Sequence, residues 1–230
     1  MRFIPTFLIL LLLYIASGPV FSFGNPNVHR YSNGATLVTI EDPNATISSS
    51  YVFVRTGSLF ESPWNGAGLS HYLEHLVAGG TTVYNSEKEY KKRIDLMGGA
   101  SNAYTTFDHT AYYIKSSSLN TNLALQVLFE WVSAANWTDN EYKREKGVVL
   151  KEMSRADNDI FRQVYRAKQQ RYYKDSPYRY PVIGFRDTFL SISNDDLKWC
   201  QNRQKFYKRN LFLSVGAVWA ALSYLFFGDA

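Results

Sequence analysis

The chain predicts an α+β fold, a two-layer sandwich in which helices cover a mostly antiparallel or mixed sheet. Three observations carry that expectation. Strand-like and helix-like stretches interleave along the chain. Asn33-Gly34 separates two strand-like stretches near the start, and both turn positions tolerate positive φ, so a hairpin is expected there. Finally, 230 residues with 46% hydrophobic content can bury one sizeable core, which argues for a single domain over residues 23–230.

Taken in order, residues 1–22 have the pattern of a secretory signal peptide. Met1-Arg2 precedes an apolar run over residues 3–15, then Ser17-Gly18-Pro19, with cleavage fitting best after Ser22 and Val20 at the −3 position. That run is shorter than the roughly 20 residues a spanning helix needs. The expectation is therefore an exported protein, periplasmic or secreted, touching membrane only through an uncleaved signal. After the hairpin come a strand over 50–56, a helix over 66–78 stopped by Gly79-Gly80, and a second helix over 86–97. A strand over 104–116 and an amphipathic helix over 120–135 follow. Helices then occupy roughly 139–170, broken in the middle, and 194–207. The eighteen mostly apolar residues 211–228 invite a reading as a membrane segment, but an exported domain would put Lys208 and Arg209 on the outer side of it, against the positive-inside tendency.

Chemistry concentrates in His71-Tyr72-Leu73-Glu74-His75. Residues three and four apart on a helix are neighbours, so His71, Glu74 and His75 share a face while Leu69, Tyr72, Leu73 and Leu76 are left to pack. Two imidazoles so placed suit Zn²⁺, and catalytic zinc takes three protein ligands with water in the fourth position. Glu152 is the best-placed third ligand, in a helical stretch where Glu145 lies seven residues earlier on the same face. One carboxylate can then bind metal while the other orients a ligand histidine. The same helix carries Lys143, Arg144, Lys146 and Lys151, so a salt-bridged solvated face is the competing reading for it. Glu74, between the histidines, is free for proton transfer from zinc-activated water.

These residues resemble the pitrilysin/insulinase zinc metallopeptidases and their inverted His-x-x-Glu-His motif. The resemblance runs from Val28 to about Gly228, includes Gly68-Leu69-Ser70 before the motif, and keeps the family's seventy-six residues between the second histidine and the distal glutamate (152 − 75 − 1). It implies one Zn²⁺ per chain held by His71, His75 and Glu152, Glu74 as catalytic base, and Glu145 as support. The block from Gly98 to Tyr113 resembles the family's substrate-side strand, and by that resemblance Asn102 and Ala103 meet the peptide. The block from Ser176 to Gly184 resembles the loop after the zinc-binding helices and is architectural. For the C-terminal run the resemblance implies a core strand over 211–216, then a short helix ending near Phe227-Gly228-Asp229. The implied function is a zinc-dependent endopeptidase acting on extended peptides or unfolded protein segments. Family members resembling this chain have a second half of similar fold closing over substrate. A partner is therefore expected, either a second family-like domain or another chain in a homo- or hetero-oligomer. The alternative function is a catalytically weak or inactive subunit that binds peptide or a partner chain.

Composition excludes other classes. A formal charge of +5, with basic residues spread over 143–209, makes no compact tract for nucleic acid. Cys200 is the single cysteine, which excludes an intrachain disulfide and a cysteine-rich zinc site. His109 reads as structural. In a eukaryotic cell, Asn44-Ala45-Thr46 and Asn136-Trp137-Thr138 would be glycosylation acceptors.

Overall fold

A computed structural model describes residues 25–206 and 211–216. The signal peptide expected over residues 1–22 and the short helix expected to end near 227–229 lie outside the described residues. Strands β1 (Asn27–Arg30) and β2 (Thr36–Ile40) form the expected hairpin, tightened where the Ala35 amide donates to the Asn33 side chain at 2.9 Å. β3 spans Ile47–Val54, three residues earlier than the alternation predicts, because Thr56 already turns back on the Val54 carbonyl.

The segment expected as one strand over 104–116 is instead a hairpin: β4 (Ala100–Thr105) and β5 (Thr110–Ser117), turning through Phe107-Asp108. The turn chemistry in the sequence was missed. Asp108 accepts from the Thr106 hydroxyl, and the His109 ring lies 2.8 Å from the same carboxylate, which is the structural role expected of His109. β6 (Leu211–Gly216) completes a mixed sheet in the order β1-β2-β6-β3-β5-β4, parallel to β2 and antiparallel to β3. β4 is therefore an edge strand.

One face of the sheet is covered by helices. Val52 pairs with Tyr112 and Ser50 with Ile114, and all four are buried beneath α3 (Thr121–Ala134). Helix α1 (Leu69–Val77) is shorter than the expected 66–78 because Gly66 and Gly68 take positive φ, which ends helical geometry at its start. It packs against α4 (Asp139–Asp157), α7 (Asn194–Phe206) and β4. Helix α2 (Glu87–Leu96) opens with a capping box from Ser86 and Glu89, and α4 opens with another from Thr138 and Glu141. The expected break between 139 and 170 falls at Asn158-Asp159. There the Asp159 carboxylate caps α5 (Ile160–Tyr172) by accepting from the Phe161 and Arg162 amides. A short helix, α6 (Arg186–Leu190), escaped the sequence reading; at five residues it is too short to show a period.

The core joins both layers, with Trp131, Tyr72, Tyr90, Tyr112, Phe189, Leu69, Leu73 and Leu76 fully buried. Both glycosylation sequons lie at exposed asparagines, Asn44 and Asn136. Among the described residues no helix is long and apolar enough to cross a membrane.

Candidate metal centre

Helix α1 reaches its histidines through an unusual start. Its N-cap position is Gly68 at φ 73°, which has no side chain with which to cap the helix. The cap comes instead from Glu61, 2% exposed and nine residues before Ser70, whose amide donates to the Glu61 carboxylate at 2.8 Å. Burial pushes the Glu61 carboxyl up to about 7, against the pull of that backbone donor. A second anchor is the Ser176 to Gly184 loop expected to be architectural. Its Ile183-Gly184 backbone lies so close to Ala67-Gly68 that a Cβ added at either glycine would collide with the facing main chain. Phe185 N–H and the Thr188 hydroxyl both donate to the Gly66 carbonyl, at 2.8 and 2.6 Å. The two histidines are thus fixed by the core beneath them and by two clamps on the turn before them.

From α4, Glu152 meets that face. Its Oε2 lies 3.6 Å from His71 Nε2 and 3.5 Å from His75 Nε2, and the three donor atoms fall within 4.8 Å of one another. Zinc bonds of about 2.0–2.2 Å at tetrahedral angles place neighbouring donors about 3.3–3.6 Å apart, so the nitrogen and oxygen donors present fit that ion. The contacts to His71 are not an ion pair. Burial first, and the neighbouring His75 second, push the His71 imidazole down to about 3, so the ring is neutral and has a lone pair to offer. His71 Nδ1 is buried without a partner among the described residues.

His75 is held differently. Burial pulls its affinity for a proton down, but the Glu145 contact at Nδ1 (3.3 Å) and the charges of Glu152 and Glu74 outweigh it and raise its pKa. Burial would raise Glu145, yet its bonds to His75 and to Arg144 Nε (2.8 Å) win and lower it. The two shifts agree in sign, as an imidazole and its orienting carboxylate should. Arg144 extends the chain outward to Glu87 at 2.9 Å. The solvated-face reading of α4 thus holds for Arg144 but not for Glu145 or Glu152, which turn towards α1.

Glu74 is 8% exposed beside this cluster. Burial raises its carboxyl, and the Thr105 hydroxyl, donating to Oε2 at 2.6 Å, moderates the rise. Thr105 and Glu61 are the residues that sequence reading missed. For Glu61 a signal existed, since a helix preceded by Gly66-Ala67-Gly68 needs a cap from elsewhere. Asn102 and Ala103 sit on edge strand β4, Asn102 exposed and Ala103 half-buried against the core. Ala103 N–H donates to its neighbour's Asn102 Oδ1 at 2.9 Å instead of to β5, so it points off the outer edge of the sheet. A groove of about 920 Å³ opens beside the cluster, with His71, Glu152 and Thr105 in its wall.

The sequence profile of the family described as Insulinase (Peptidase family M16) matches residues 36–184, more than half of the chain. The chain belongs to the M16 peptidase family. Among its relatives, the uncharacterized zinc protease YmxG of Bacillus subtilis (strain 168) is 32% identical over 176 residues, 74% of this chain and 42% of that protein. Mitochondrial-processing peptidase subunit beta of Saccharomyces cerevisiae is 30% identical over 188 residues, 82% of this chain and 40% of that protein. The crystal structure of a protease from Helicobacter pylori superposes with a TM-score of 0.76 at 27% identity, covering 86% of this chain and 48% of that one. The match covers less than half the length of each of these relatives and includes the α+β sheet-and-helix architecture.

Proposed function

We propose that the chain carries the catalytic face of a zinc endopeptidase that cleaves extended peptides or unfolded segments. The observation that carries this reading is the convergence of His71, His75 and Glu152 beside a buried Glu74. Zinc held there by those three side chains would polarise the scissile carbonyl and lower the pKa of water to about 7. The remaining work belongs to the protein. Glu74, its proton affinity raised by burial, takes the proton of the attacking water and passes it to the departing amine nitrogen. Thr105 occupies one of its oxygens and leaves the other free of protein partners among the described residues. Glu145 holds His75 in orientation. An extended peptide lies along β4, where the outward main chain at Ala103 and the Asn102 side chain meet it, giving affinity with little side-chain selectivity.

Replacing Glu74 by Gln keeps the size and removes the base. Zinc content by elemental analysis should stay at one per chain, while cleavage of an unstructured peptide falls by a factor of about 10²–10⁴ or more. Unchanged turnover would remove Glu74 from this role.

A second reading is favoured by length and surface. The match covers less than half the length of each of these relatives, one of them is named as a subunit, and α5 exposes Ile160, Val164 and Tyr165. In this reading the chain is a slow or inactive zinc-loaded subunit that binds peptide and completes its chamber with a second family-like domain or chain. Stoichiometric zinc with no cleavage even at high protein concentration would favour it. Export through residues 1–22 belongs to either reading, and N-terminal sequencing of the secreted or periplasmic protein should begin at Phe23.

A further inference from the structure

The groove beside the metal cluster has a chemical bias. Besides His71, Glu152 and Thr105, its lining includes three arginines, Arg155, Arg162 and Arg166. Its only carboxylates among the described residues are Glu152 and Asp159. Glu152 points at the histidines and Asp159 is engaged by two amides at the start of α5. The arginines are unequally committed. Arg166 is held by Asp157 at 2.9 Å and lies over the Phe185 ring. Arg162 stands 3.5 Å from Asp159, a solvent-exposed pair that holds the guanidinium only weakly. Arg155 is exposed and makes no ion pair with any described residue. It follows Glu152 by three residues on α4, so it stands about 4.5 Å further along the helix axis. An extended peptide advances about 3.3 Å per residue, so the offset between Glu152 and Arg155 corresponds to one or two residues of such a peptide. Phe107, Phe161 and Val182 give the same groove apolar walls.

We propose that Arg155, supported by Arg162, makes this groove a subsite for an acidic side chain, so that preferred peptides carry Asp or Glu within two residues of the scissile bond. A guanidinium matches a carboxylate with two parallel hydrogen bonds, which neither glutamine nor lysine reproduces. The assignment rests on the reading of His71, His75 and Glu152 as the place where the scissile bond lies. Binding and cleavage are therefore measured separately.

Dye-labelled unstructured peptides, identical except for Glu, Gln or Lys at one position at a time, are titrated by anisotropy against the full zinc-loaded chain carrying Glu74→Gln. At one or two adjacent positions the Glu peptide should bind about 10-fold more tightly than the Gln peptide, and the gap should shrink as salt is raised. Adding Arg155→Ala should abolish the gap, and Arg155→Glu should turn the preference towards Lys, with circular dichroism and zinc content unchanged. Equal affinity for the three peptides, no binding of any of them, or an acidic preference that survives Arg155→Glu would overturn the proposal. Cleavage by the wild-type chain is the independent arm. Discrimination in binding with no cleavage upholds the subsite and sinks the peptidase reading, whereas cleavage without charge preference sinks the subsite alone.

Discussion

Helices α1 and α5 both face the groove, but α1 buries seven of its nine residues and α5 buries Gln169 alone of its thirteen. The first carries His71, Glu74 and His75; the second carries Arg162, Tyr165 and Arg166. The difference separates two duties. Groups that must converge on one point need backbones that cannot shift, and α1 obtains that from Leu69, Leu73 and Leu76 below it and from the Glu61 and Gly184 clamps at its start. Groups that greet variable substrate can stand on a helix held mainly by its cap and a few contacts.

If that division is right, the largest effect on stability lies in α1. Leu73→Ala should cost about 2–5 kcal/mol in urea unfolding, because a fully buried side chain leaves a cavity between α1 and its neighbours. A loss below 1 kcal/mol would mean that α1 is not the rigid member of the pair.

Glu61 sharpens the comparison through pH. Its folded pKa, about 7, lies above the ordinary 4.5. The folded state therefore binds the proton more tightly than the unfolded state. The resulting stabilisation is complete below pH 4.5 and is lost as pH rises through 7. Relative to Glu61→Gln, the wild-type chain should lose on the order of 3 kcal/mol across that window. Parallel stability curves for the two proteins would show that the buried carboxyl does not titrate there.

Smaller again is the support to His75. Glu145→Gln weakens the hold on Nδ1 and should lower zinc affinity by about 10–100-fold, read by competition with a chromophoric chelator. Zinc affinity equal to wild type would mean that α1 alone orients the imidazole. The smallest effect belongs to α5. Phe161, 84% exposed, should tolerate Ala within about 0.5 kcal/mol, and a larger loss would show that α5 is packed more firmly than its surface suggests.

The contrast also explains what was legible beforehand. The spacing of His71, Glu74 and His75 is a property of one helical turn, so it could be read directly. Glu145 and Glu152 could be placed on one face of α4 but not aimed, since a lysine-rich helix presents the same pattern when it is solvated. The β4–β5 hairpin was merged into one strand because its turn, Phe107-Asp108, lacks glycine, although Asp108 was available as a turn residue. Thr105 became relevant only when that hairpin brought it to Glu74, 31 residues away.

By itself, the sequence determined the layer architecture, the shared face of the two histidines and Glu74, and the break before α5, all of which follow from local periodicity, capping and hydrophobic pattern. Only the tertiary structure decided that Glu152 meets both imidazoles, that β4 is an edge, that Glu61 caps α1 and that three arginines line one groove. Those facts depend on how separate elements pack, and packing is set by the summed burial of the whole core, which no local window of residues contains.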